Sequence, residues 1–144
     1  MSFVLDASIA LSWALNEEPS AASEQAELAI ATVPALVPPL WLLEVGNVLA
    51  VKERQGRLRE GSARLLLGRL LALDIEVATS LTDRRFATDA LSVALEQQLS
   101  TYDANYLLLA RIRHVPLATN DRALASAAEE CGVELLGSQV AGAT

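Results

Sequence analysis

Short apolar runs alternate along this chain with longer stretches of helical character, and that rhythm leaves few architectures open. Phe3-Val4-Leu5 reads as a buried strand, and Ser8 to Leu15 as the helix after it. Ser20 to Ala31 is rich in Ala and Glu and also favours helix. Leu36-Val37 is short and extended, and Pro38-Pro39 suits the entry to a long helix from Leu40 to Gln55 that Gly56 closes. The pattern then predicts a helix from Glu60 to Leu71, a strand over Ile75 to Ala78 and a helix from Thr82 to Gln98. A short stretch around Leu99 to Thr101 leads into Asp103 and a helix from Ala104 to Arg113. Pro116 to Thr119 reads as a strand, Arg122 to Glu130 as a helix ended by Gly132, and Val133 to Leu136 as a last strand. Such alternation places the chain in the α/β class, as a three-layer α/β/α sandwich around a short, mainly parallel sheet. One domain over residues 1–136, followed by a small-residue tail over 137–144, accounts for the whole length.

Composition narrows the setting. With 52% hydrophobic residues and a mean hydropathy of +0.32, the chain can build a sizeable core. Cys131 is the single cysteine, so no disulfide forms within the chain, and a reducing, cytoplasmic location is expected. The start MSFVLDASIA lacks a basic region and meets an acid at Asp6, unlike a secretory leader. No apolar stretch reaches the ~18 residues needed to span a bilayer, so no membrane partner is expected. Net charge is −7, from 11 basic and 18 acidic residues, with a sequence pI near 4.6. That balance speaks against a protein that grips nucleic acid by its phosphates. A metal-dependent nuclease is the exception, because its clustered carboxylates hold a cation and the cation faces the phosphate.

Three aspartates share one expected address. Asp6, Asp103 and Asp121 each stand where a strand is expected to give way to a helix. In a parallel sheet those strand ends lie along one edge, where such folds place their ligands. Taken singly, each is also a good helix cap, worth ~1 kcal/mol over alanine. Glu44 adds weight, since the segment from Pro39 to Val51 is apolar nearly all round, and a carboxylate in the first turns of a buried helix needs a partner or a metal. Glu44 and Asn47, three apart, share a face of that helix. Four carboxylates without a His or Cys cluster favour a hard cation, Mg²⁺ or Mn²⁺, over zinc. His114, the lone histidine, falls at a helix end and suits a surface or stabilising role.

The blocks FVLDAS, PPLWLLEVGNVL, TYDANYLLLA and PLATNDRALA, in that order and spacing, resemble the PIN domain, and specifically VapC-type toxins of toxin–antitoxin systems. The resemblance covers about Ser2 to Leu136. It implies that Asp6, Glu44, Asp103 and Asp121 form a catalytic, metal-binding quartet, with Ser8, Asn47 and Thr119 as polar support and Asn120 beside Asp121 a variable position. It further implies a Mg²⁺- or Mn²⁺-dependent endoribonuclease that cuts structured RNA such as transfer RNA, forms a homodimer and is silenced by a cognate antitoxin. The reaction implied is direct hydrolysis, with the metal polarising the phosphate and a carboxylate helping to activate water. Arg84-Arg85 and Arg122 are candidate phosphate contacts, though ordinary solvated surface accounts for them as well.

Other readings stay open. A phosphoaspartyl enzyme fits Asp6 after a first strand, but its phosphatase form needs an aspartate where Ser8 stands, and Lys52 is the only lysine. A non-catalytic binding module with the acids as caps, or a PIN-like nuclease of RNA processing outside a toxin system, are the alternatives. Trp13, Trp41 and Leu42 are equally suited to a partner surface or to the core.

Overall fold

The computed structural model describes residues 2–79 and 83–138. In chain order it contains β1 (Phe3–Leu5), α1 (Ala7–Ala14), α2 (Ala21–Ile30), β2 (Ala35–Val37), α3 (Pro39–Arg54), α4 (Ser62–Leu71), β3 (Ile75–Val77), α5 (Arg84–Gln97), α6 (Thr101–Arg113), β4 (Leu117–Ala118) and α7 (Arg122–Glu130). The strands form one parallel sheet in the order β3-β2-β1-β4. Phe3 pairs with Ala35, Val4 with both Leu36 and Leu117, and Leu5 with Ala118.

The strands show why short apolar runs without alternation signal this architecture. Every residue of β1, β2 and β4 is buried, so both faces of the central strands are covered by helices. The chain steps outward from β1 through β2 to β3, then returns to place β4 on the other side of β1. Right-handed crossovers running in opposite directions put α1–α4 and α5–α6 on opposite faces of the sheet. Accordingly α1 packs on α2, α3 and α4, whereas α6 packs on α5, α7 and β1. The largest fully buried side chains include Trp41, Tyr106, Phe3, Leu5 and Ile9.

Local chemistry sets the helix ends. Ser20 and Ser23 form a reciprocal capping box at α2, while the side chains of Asp83, Ser100 and Asp121 cap α5, α6 and α7. Pro38 and Pro39 open α3 as expected, and Gly56 and Gly132 follow helix ends at φ 74° and 73°, where a side chain would be strained.

Four expectations change. Asp103 does not follow a strand, because the Ser100 hydroxyl accepts from the Asp103 N–H at 3.0 Å and α6 begins at Thr101, placing Asp103 in the first turn. The strand expected over Val133 to Leu136 is a single bridge from Leu117 to Leu135. Helix α4 starts at Ser62, two residues after the expected start near Glu60, and its Ala63 N–H donates to Glu53 at 2.8 Å across the α3–α4 junction. Helix α3 is not buried all round: Trp41, Val45 and Leu49 form its core stripe, while Leu43 is 74% exposed. That stripe belongs to the core, the helix packs against α4 and α1, and Leu42 and Leu43 stay at the surface. Thr82, the expected start of α5, and the tail beyond Ser138 lie outside the described residues. No helix among the described residues is long and apolar enough to cross a membrane.

Candidate active site

In an open parallel sheet, a crevice forms where successive connections leave in opposite directions, at the carboxyl ends of the two strands involved. Here that point lies between β1 and β4, and the residues beyond those strands are Asp6 and the Thr119-Asn120-Asp121 turn.

Asp6 is 4% exposed and occupies the N-cap position of α1, yet its side chain makes no capping bond. Its Oδ2 instead accepts two hydroxyls, from Ser8 at 2.7 Å and Thr119 at 2.6 Å. Those hydroxyl oxygens accept in turn from the backbone N–H groups of Asn120 and Asp121, each at 3.0 Å. Two small polar side chains thus fix the Asp6 carboxylate and bind the last site segment to the first. Asp121 caps α7, with Oδ1 accepting from the Leu124 N–H at 2.9 Å. Glu44 projects from the second turn of α3, half-buried, and accepts from the Tyr106 hydroxyl at 3.3 Å. Asp103, also half-buried, enters from the first turn of α6.

Electrostatics join the four into one unit. Burial raises the Asp6 carboxyl above its ordinary range, against the Thr119 and Ser8 hydroxyls that favour its charge, and the Asp121 charge raises it further. Glu44 is pushed up to about 7, first by burial, then by the charge of Asp6, with Tyr106 opposing and Asp103 adding. Asp103 is raised by burial, then by Asp121 and Asp6, with the Ser100 hydroxyl opposing. Asp6, Glu44 and Asp103 each feel at least one other acid of the set, and the charges acting on all three are those of further carboxylates. Such mutual repulsion is what a bound cation relieves.

Among the described residues no three His, Cys, Asp or Glu groups stand as a ready-made metal cage. The donor set nevertheless fits a hard divalent ion: every donor is a carboxylate oxygen, and magnesium keeps several waters while taking only one or two carboxylates. Asp6, Glu44, Asp103 and Asp121 are the groups that would hold it.

Of the supporting residues expected, Ser8 and Thr119 touch Asp6. Asn47 is exposed, and no hydrogen bond among the described residues ties it to the acids. The Asn120 side chain accepts from the Ser20 hydroxyl at 2.6 Å, fastening the β4–α7 turn to the start of α2. Sequence reasoning passed over Tyr106, although a tyrosine in the apolar run NYLLLA, three residues after Asp103, signals a buried hydroxyl in need of a partner. A cleft of about 790 Å³ lined by Asp89, Arg111, His114 and Cys131 lies elsewhere, and none of the four acids lines it. Concavity and chemistry therefore point to different places, and the converging carboxylates carry the functional argument.

Over residues 3–130 the sequence matches the family described as the PIN domain. Among solved structures the chain is similar to PAE2754 from Pyrobaculum aerophilum, at 23% identity over 88% of this chain and 84% of that one, with a TM-score of 0.67. That likeness is one of fold. The search of curated proteins gave no match.

Proposed function

The chain belongs to the PIN domain family, whose fold is of the nuclease type, and from that premise we propose that it is a metal-dependent endoribonuclease, the toxin component of a toxin–antitoxin pair. The observation behind this reading is the electrostatic coupling of Asp6, Glu44, Asp103 and Asp121, supplied by four separate segments. A bound Mg²⁺ or Mn²⁺ would polarise the scissile phosphate and supply an activated water. Asp6, locked by two hydroxyls, would hold the ion together with Asp103 and Asp121. Glu44 has one oxygen held by Tyr106, which leaves Oε2 as the oxygen that would serve the metal-activated water.

The partners of this reading are structured RNA such as transfer RNA, a cognate antitoxin over the site, and a second copy of the chain. A protein cover is supported by apolar exposure beside the acids: Leu43, next to Glu44, is 74% exposed, and Tyr102, next to Asp103, is 63% exposed. A non-catalytic binding module has one observation in its favour, the helix cap that Asp121 does form.

The deciding experiment is incubation of purified protein with a transfer-RNA pool in Mg²⁺ or Mn²⁺, and again in EDTA. Discrete fragments that disappear with EDTA and in Asp103→Ala support the nuclease. No cleavage, with no Mn²⁺ binding by calorimetry, favours the binding module.

A further inference from the structure

A fully buried phenol must satisfy its hydroxyl, because a polar group left unpaired in the core costs more than the hydrogen bond it lost. Tyr106 is 0% exposed, among the largest enclosed side chains of the protein. Its hydroxyl donates to Glu44 Oε1 at 3.3 Å, across sixty-two positions of sequence. Tyr106 is three residues from Asp103, so one face of α6 delivers both the aspartate and the phenol to the site.

Glu44 differs from the other acids in its support. Asp6 is held by two hydroxyls, Asp121 by the Leu124 N–H, and Asp103 sits in a first turn capped by Ser100. Glu44 has a long side chain on a helix whose neighbouring residues, Leu42 and Leu43, face outward. Its hydrogen bond to Tyr106 is the contact that fixes its head group, and the ring behind that hydroxyl is immobilised by the core.

We propose that Tyr106 is a positioning residue for the metal centre, holding Glu44 so that its free oxygen faces Asp6 and Asp103. This rests on the reading of the four acids as a metal site. Groups that orient a ligand from behind typically change metal affinity by about 10–100-fold when removed, and a single 3.3 Å bond belongs at the lower end.

The test is Mn²⁺ binding by calorimetry on four proteins: wild type, Tyr106→Phe, Glu44→Gln and the double variant. Phenylalanine fills the same space, so the ring packing is retained. The expected result is about a tenfold loss of affinity in Tyr106→Phe against wild type, and no further loss when the same change is made in Glu44→Gln. Equal losses in both backgrounds would mean general damage to the core and overturn the proposal. Unchanged affinity in Tyr106→Phe, with a loss in Glu44→Gln, would overturn it while leaving the metal site standing. Wild-type affinity in Glu44→Gln would overturn the role of Glu44, and this proposal with it. If Tyr106→Phe does not fold, wild-type protein with ¹³C-labelled tyrosine decides. The chain has two tyrosines, so Tyr102→Phe leaves the Tyr106 signal alone. A shift of its Cζ resonance on Mg²⁺ addition that vanishes in Glu44→Gln supports the proposal, and a Cζ resonance unmoved by saturating Mg²⁺ overturns it.

Discussion

Thr119 is the residue on which the site turns, since its hydroxyl donates to Asp6 and accepts from the Asp121 N–H. Thr119→Val keeps the shape and removes both bonds within a buried position. A loss of about 1–3 kcal/mol by urea denaturation is expected, together with reduced cleavage. Asp6→Asn is expected to lower cleavage by about a hundredfold or more with the far-ultraviolet spectrum unchanged, because an amide keeps the volume but loses the charge. Wild-type activity in the folded variant would remove Asp6 from the proposed chemistry. Glu44 gives the protein a pH signature. Its carboxyl ordinarily titrates near 4.5 and is pushed up to about 7 in the fold, so the folded chain binds that proton more tightly than the unfolded chain does. Its contribution to stability is present below about 4.5 and is lost as pH rises through about 7. Asp6 and Asp103 are raised too and act in the same direction. In EDTA the melting temperature should therefore fall between pH 4.5 and 7.5, less so in Glu44→Gln, and Mg²⁺ should raise it more at pH 7.5 than at pH 5. A melting temperature flat across that range in EDTA would contradict the burial of Glu44.

At the scale of elements, Asp121 serves two ends, capping α7 and facing the other acids. The two roles separate by substitution: Asp121→Asn retains a good cap and is expected to stay within about 0.5 kcal/mol of wild type, while Asp121→Ala loses about 1 kcal/mol. Both should lose cleavage, whereas a cap with no other role would spare activity in Asp121→Asn. The same scale shows what was legible in the sequence. Apolar runs such as Phe3-Val4-Leu5 and Leu36-Val37 announce short buried strands, and the strand–helix junctions after β1 and β4 are where Asp6 and Asp121 lie. Asp103 was misplaced because a capped helix start and a strand end look alike in Leu99-Ser100-Thr101, and only the Ser100 bond distinguishes them. The last strand was overread because a short apolar stretch, Val133 to Leu136, need only touch β4 at one point to be buried. The run around Tyr106 signals a buried hydroxyl, but its partner, Glu44, lies 62 positions away, and no local pattern reports a contact of that range.

For the molecule as a whole, charge is the governing quantity. A net charge of −7 sets phosphate and protein against each other, and the carboxylate cluster sharpens that repulsion where cleavage is proposed to occur. Association with RNA should therefore depend on the cation and not only cleavage should. Filter binding with an uncleavable RNA is expected to weaken strongly when EDTA replaces Mn²⁺, and binding indifferent to EDTA would locate the RNA on some other surface.

The wide separation of the four acids along the chain has a consequence for synthesis. Asp6 leaves the ribosome long before Asp121, and the Thr119 hydroxyl that fastens Asp6 arrives with the latter. A nascent or prematurely terminated chain ending before Thr119 holds part of the proposed donor set but lacks the β4–α7 turn and α7, so that set is incomplete. The four carboxylates can come together only after β4 has left the ribosome and paired with β1, a delay written into the strand order itself.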